Sequence, residues 1–139
     1  KTKEDEMSID NASLFEGATV APSGGTALPF GPLGASKGVN TIYATDDTDL
    51  RSRREIVFTT KEPKVSASAP AGYTQARAVA VFKSPLELDN GNSTVNTVRI
   101  EVAYDAETST AEKTELMAMA AQICSDADFT AFFHNLSLA

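Results

Sequence analysis

The stretch from Thr108 to Ala139, TSTAEKTELMAMAAQICSDADFTAFFHNLSLA, sets the terms for the rest of the chain. Ser109 followed three residues later by Glu112 is a capping-box pattern. The hydroxyl accepts from an otherwise orphaned N–H, and the carboxylate reaches back to the cap's own amide. A helix is therefore expected from about Thr110. Its apolar residues, Leu116, Met117, Ala118, Met119, Ala120, Ala121, Ile123 and Cys124, wrap far beyond the roughly 100° stripe of a surface helix, so burial on more than one side is expected. Asp126 and Asp128, with Ser125 as a candidate cap, mark a second helix start, after which Phe129, Phe132, Phe133 and Leu136 recur at i, i+3, i+4 and i+7. Three phenylalanines within five residues demand a large partner surface.

Upstream, three segments carry the period-2 signal of a sheet with one covered face. Arg54 to Glu62 alternates Ile56 and Phe58 against Glu55, Val57, Thr59 and Lys61. Tyr73 to Ser84 sets Ala76, Ala78, Ala80 and Phe82 against Gln75, Arg77, Val79, Val81 and Lys83, and Pro85 is expected to end that strand. Thr94 to Asp105 sets Val98, Ile100, Val102 and Tyr104 against Thr97, Arg99, Glu101 and Ala103. The alanine face is small enough to let a helix approach closely, so the C-terminal helices are placed over it. The opposite face, with Thr59, Lys61, Gln75, Arg77, Lys83, Thr97 and Arg99, is left free.

The N-terminal third reads less clearly. Residues 1–6 form a charged tip, and 7–22, with Ile9, Leu14, Phe15 and Val20 around a Glu16-Gly17 turn signal, suggest a short hairpin. Residues 23–38 hold five glycines and two prolines, a density of breakers that predicts a surface connection rather than a helix or long strand. No GK[ST] ending follows, so this is not a phosphate loop. Val39 to Thr45 is expected to be a strand, and Asp46 to Asp49 a solvated turn lacking the ligand spacing of a calcium loop. Residues 39–105 thus form the sheet and 109–136 the two helices, in one domain over 1–139. This is an α+β chain with a hairpin, about five antiparallel strands and two terminal helices, in that order. At 139 residues and 42% hydrophobic content a single core is expected.

Chemistry-bearing constellations are sparse. Cys124 is the single cysteine and is expected to be a buried structural thiol; His134 is the single histidine, with no nucleophile or second ligand at a recognisable spacing. No catalytic residues, metal site or cofactor are assigned, and an enzyme is the weakest class. No apolar run of about 18 residues is present to span a bilayer, and the start KTKEDEM is too charged for a signal peptide, so a soluble chain is expected. The net charge of −7 argues against a polyanion partner, but its distribution does not. Residues 51–99 carry 8 basic and 4 acidic side chains, whereas 1–50 carry 3 and 8 and 100–139 carry 1 and 7. A basic middle lies between acidic ends.

The succession REIVFTTK, QARAVAVFKS, NTVRIEVAYD, STAEKTELMAMAAQI and DFTAFFHNL resembles the coat proteins of single-stranded RNA bacteriophages, the leviviruses. The likeness is most specific from Thr94 to Leu136, while GATVAPSGG is similar to the second strand of that family's N-terminal hairpin. The resemblance implies an interlocked homodimer whose sheets join edge to edge. The helices of each subunit would lie over the partner's sheet, with Leu116, Met119, Ile123, Phe129, Phe132 and Phe133 at the interface. It also implies an icosahedral shell in the virion, assembled in the bacterial host cytoplasm. The inward sheet face would bind genomic RNA, including a translational-operator hairpin, through Thr59, Lys61, Gln75, Arg77, Lys83, Thr97 and Arg99. Tyr73 and Tyr104 offer rings for base stacking, although Tyr104 falls with the core set. A dimeric RNA-binding regulator, and a shell or tail subunit with no RNA role, are the alternative readings.

Overall fold

The computed structural model describes residues 9–16 and 24–138. Six antiparallel strands follow one another in space in chain order: β1 (Ser13–Glu16), β2 (Thr26–Ser36), β3 (Val39–Ala44), β4 (Glu55–Lys61), β5 (Ala76–Glu87) and β6 (Ser93–Tyr104). A short 3-10 turn, Ile9–Asn11, precedes β1; helices α1 (Thr110–Ser125) and α2 (Thr130–Asn135) close the chain. The α+β order read from the sequence therefore holds, with one strand more than about five.

The extra length lies in β2, an 11-residue strand through the segment expected to be a surface connection. Its breakers are accommodated one by one. Residues 26–29 pair with β1 and 30–36 with β3, and the register shifts between Pro32 and Gly34, so the strain of the proline-glycine run falls in a bulge. Gly31 is needed for closeness, since a Cβ there would lie 3.0 Å from Thr45 Cγ2. Of the expected hairpin, β1 is described and its partner is Thr26–Pro29; the segment 17–23, with most of GATVAPSGG, and the tip 1–6 lie outside the described residues.

Pro85 does not end β5. The strand continues to Glu87, with Pro85 opposite Val95. Beyond Lys83, the last residue of β5 paired with β4, the strand has a neighbour on one side only, the edge setting in which a missing N–H is tolerated.

The register fixes both faces. Ile42, Ile56, Phe82 and Val98 lie across from one another on one face, as do Phe58, Ala80 and Ile100. This face carries the buried core of Leu28, Phe30, Ile42, Ala44 and Ile56, with Ala12, Phe58, Ala80 and Phe82 packed against it. Two polar contacts hold the N-terminal segment to the core: the Phe30 N–H donates to the Ala12 carbonyl at 2.9 Å, and Asn40 Nδ2 to Asp10 Oδ1 at 2.8 Å. The Asp46 to Asp49 segment is a turn clamped by Arg54. Its Nε and backbone N–H donate to Asp47 Oδ2 at 2.9 and 3.0 Å, and its Nη1 pairs with Glu16 of β1. The side-chain hydrogen bond from Arg54 holds the Asp47 carboxyl below the usual carboxylate range, against an opposing effect of burial.

The capping box forms as read. The Glu112 N–H donates to Ser109 Oγ at 3.2 Å, and the Ser109 N–H to Glu112 Oε2 at 3.4 Å. At the second start the cap is Asp126, whose Oδ1 accepts from the Asp128 N–H at 2.9 Å. Ser125 is spent inside α1, donating to the Ala121 carbonyl at 2.8 Å. The larger departure is burial. No residue of either helix is buried within the chain; Leu116 is 47% and Phe133 50% exposed, and Cys124 is an exposed thiol instead of the expected buried one. The core occupies the β2–β4 half of the sheet, while the apolar side of β6, Val98 and Ile100 included, stays open.

Candidate nucleic-acid interface

Alternation places the candidate residues on the face opposite the core. Thr59 pairs with Val79 and Val79 with Glu101; Val57 pairs with Val81 and Val81 with Arg99; Lys61 pairs with Arg77. Opposed residues of an antiparallel pair share a face, so these strands lay their side chains into one array. A shallow trough follows, lined by Thr59, Lys61, Arg77, Arg99 and Glu101 over a floor of Val79 and Val81. Lys83 and Thr97 oppose each other on the same face, with Glu55 on the other flank of Lys83. Glu55 is engaged by Arg53, whose Nη2 lies 2.9 Å from Oε1, and the Arg53 guanidinium stacks 4.9 Å from the Tyr43 ring centroid.

Six of the seven candidates are therefore brought together on strands. Gln75 precedes β5 and lines a second cleft at the end of the sheet, beside Lys61 and Arg77. Of the two tyrosines, Tyr104 opposes Ala76 on the core face, with Lys113 Nζ 4.4 Å from its ring centroid, so it is off the trough. Tyr73 is half-exposed and bridges Val65.

Sequence reasoning missed Glu101 as part of the site. Its Oε1 accepts from Arg77 Nη1 at 3.1 Å, and its Oε2 lies 3.8 Å from Arg99 Nη2, so one carboxylate sits between the two arginines. The signal was present, since Glu101 falls two residues from Arg99 in the same alternation. The trough can meet phosphate with charge and hydroxyls, while Glu101 offsets part of that charge.

No protein-family model matches the chain, and no curated protein matches it. Among solved structures, the virus-like particle of bacteriophage GQ-907 matches with a TM-score of 0.76 and 28% identity, over 95% of this chain and 100% of that one. The virus-like particle of bacteriophage ESE058 matches over 95% and 99%, with a TM-score of 0.71 and 10% identity. The bacteriophage EMS014 coat protein matches over 89% and 77%, with a TM-score of 0.64 and 13% identity. The last two share the fold; the first shares sequence as well, along its whole length. With the strand order and the capped C-terminal helix pair, this likeness shows that the chain has the fold of bacteriophage coat proteins.

Proposed function

We propose that the chain is the structural capsid subunit of a single-stranded RNA phage. Two copies interlock into a dimer, dimers close into a shell, and the trough face lines the interior, where it holds genomic RNA. The observation that carries the dimer is the mismatch between composition and burial at the C-terminal end. Leu116, Met119, Ile123, Phe129, Phe132 and Phe133 are all 40 to 50% exposed in one chain, and the apolar side of β6 is bare as well. Two uncovered apolar surfaces on one molecule satisfy each other when a second copy supplies the complement. Obligate interfaces of this type bury more than about 2,000 Å² and resemble a core cut in half.

RNA contact is supported by the trough. Lys61, Arg77, Lys83 and Arg99 project from the face that carries no buried core, against Glu55 and Glu101. The virus-like particles among the structural neighbours support assembly into a shell. Among the described residues no helix is long and apolar enough to cross a membrane.

The test is expression of the full chain alone, with negative-stain microscopy and absorbance at 260 and 280 nm. Closed particles carrying RNA are expected. Arg77→Ala with Arg99→Ala should leave dimers intact and lower both the RNA content and the salt dependence of RNA binding. A monodisperse monomer at all concentrations would refute the capsid reading; unchanged RNA content in the double variant would remove the trough from the RNA path.

A further inference from the structure

The trough does not stop at the edge of the sheet. Lys61 and Arg77 line it and also line the second, larger cleft at the end of β4, of about 820 Å³. Two further cations reach this cleft from segments outside the sheet face: Lys37 from the β2–β3 turn and Lys64 from the loop after β4. Both backbones are anchored. Gly38, at φ 78°, makes the turn, and its carbonyl accepts from the Thr60 N–H at 2.9 Å; a Cβ at Gly38 would lie 3.2 Å from the Thr60 carbonyl oxygen. The Lys64 N–H donates to Thr74 Oγ1 at 2.9 Å, and the Lys64 carbonyl accepts from the Thr74 N–H at 2.8 Å.

Charge pairing separates the two regions. In the trough, Arg77 and Arg99 already share Glu101. In the cleft, Lys37, Lys61 and Lys64 form no ion pair among the described residues, and the cleft's acidic lining residue is Glu62. Three unpaired ammonium groups on anchored backbone, beside a partly neutralised arginine pair, make the cleft the stronger anion site. A point charge with rotatable donors suits phosphate oxygens without reading sequence.

We infer that this end-of-sheet cleft is a phosphate-binding site that grips the RNA backbone independently of sequence, with Lys37 and Lys64 as its anchors. The inference rests on the RNA-binding reading of the trough and extends the RNA path to residues outside the sheet face. The test measures binding of a labelled 20-nucleotide oligouridine to the full chain across a salt series. Each single-strand phosphate contact contributes about 0.7 to the slope of log K against log salt. Lys37→Gln with Lys64→Gln should therefore lower that slope by about 1.4 and weaken binding roughly 10- to 30-fold near 0.1 M salt. Arg51→Gln with Lys113→Gln removes the same charge from outside both clefts and should change the slope by less than about 0.3. If wild type binds and the cleft variant binds as tightly, the cleft is overturned while the trough stands. An equal loss in the two double variants also overturns it, since bulk charge then suffices. If wild type binds no oligouridine at any salt, the RNA-binding reading falls and the cleft falls with it.

Discussion

Glu101 shows how one side chain sets the strength of a surface. Its carboxylate lies 3.1 Å from Arg77 and 3.8 Å from Arg99, so part of their charge is already answered within the chain. Glu101→Gln keeps the shape and removes that charge. RNA affinity should rise about fivefold near 0.1 M salt, equivalent to one more phosphate contact, with a steeper salt slope; unchanged affinity would mean that RNA does not run along β6. A second residue-scale prediction concerns acid. Arg54 depresses the Asp47 pKa below its ordinary value of 3.8. A lowered folded pKa gives stability that is complete above the unfolded pKa and is lost as pH falls through the folded one, so Asp47 acts in the acid limb below about pH 4. Asp47→Asn should flatten the fall in Tm between about pH 5 and pH 2.5 relative to wild type, and parallel curves would show that the clamp is not what acid breaks. Residue alternation alone puts six of the seven candidate positions on one strand face. Lys37 is not legible in this way: it lies in the glycine- and proline-rich segment 23–38, and only the Gly38 turn carries it to the cleft.

At the level of elements, local chemistry was legible where it closes on itself and opaque where neighbours decide. The Ser109–Glu112 box involves four residues and forms as the pattern states, so Ser109→Ala should cost about 1 kcal/mol, read as a lower urea midpoint at unchanged m. The strand β2 was missed for the opposite reason. Five glycines and two prolines over 23–38 lower every local propensity, yet β1 and β3 pair with the segment on either half, and a bulge absorbs the misfit. Pro85 is tolerated because β5 has lost one neighbour by then, a fact of the sheet and not of the dipeptide. The helices illustrate a third case, in which apolar composition predicts burial and, among the described residues, no surface of the same chain provides it. Phe132 is 46% exposed in one chain, so Phe132→Ala in a monomer would cost little. Inside a dimer it would remove a buried aromatic worth about 3 to 5 kcal/mol. Sizing chromatography should show that the variant loses the dimer; a stable dimer would show that α2 lies outside the interface.

For the whole molecule, charge and apolar surface are divided between opposite sides of one sheet, and this division predicts how assembly and RNA binding respond to solvent. The chain is acidic overall, at −7, yet Lys61, Arg77, Lys83 and Arg99 share the face away from the core. The bare apolar side of β6 belongs to the other surface, where Met117 of α1 lines a hollow with Phe58, Ala80 and Ile100. Screening acts on the first and leaves the second intact: at about 1 M salt the Debye length falls to about 3 Å, while burial of apolar area is undiminished. Dimers mixed with an RNA fragment should therefore release it between about 0.1 and 1 M sodium chloride, and their sedimentation as dimers should not change. Moderate urea, which solvates apolar and peptide groups, should do the reverse in order, separating or unfolding dimers at concentrations where ion pairing persists. Sedimentation velocity with fluorescent RNA follows both species in one experiment. Loss of the dimer at high salt with RNA still attached would mean that the two surfaces are exchanged, with charge at the subunit contact and the apolar helices toward the RNA.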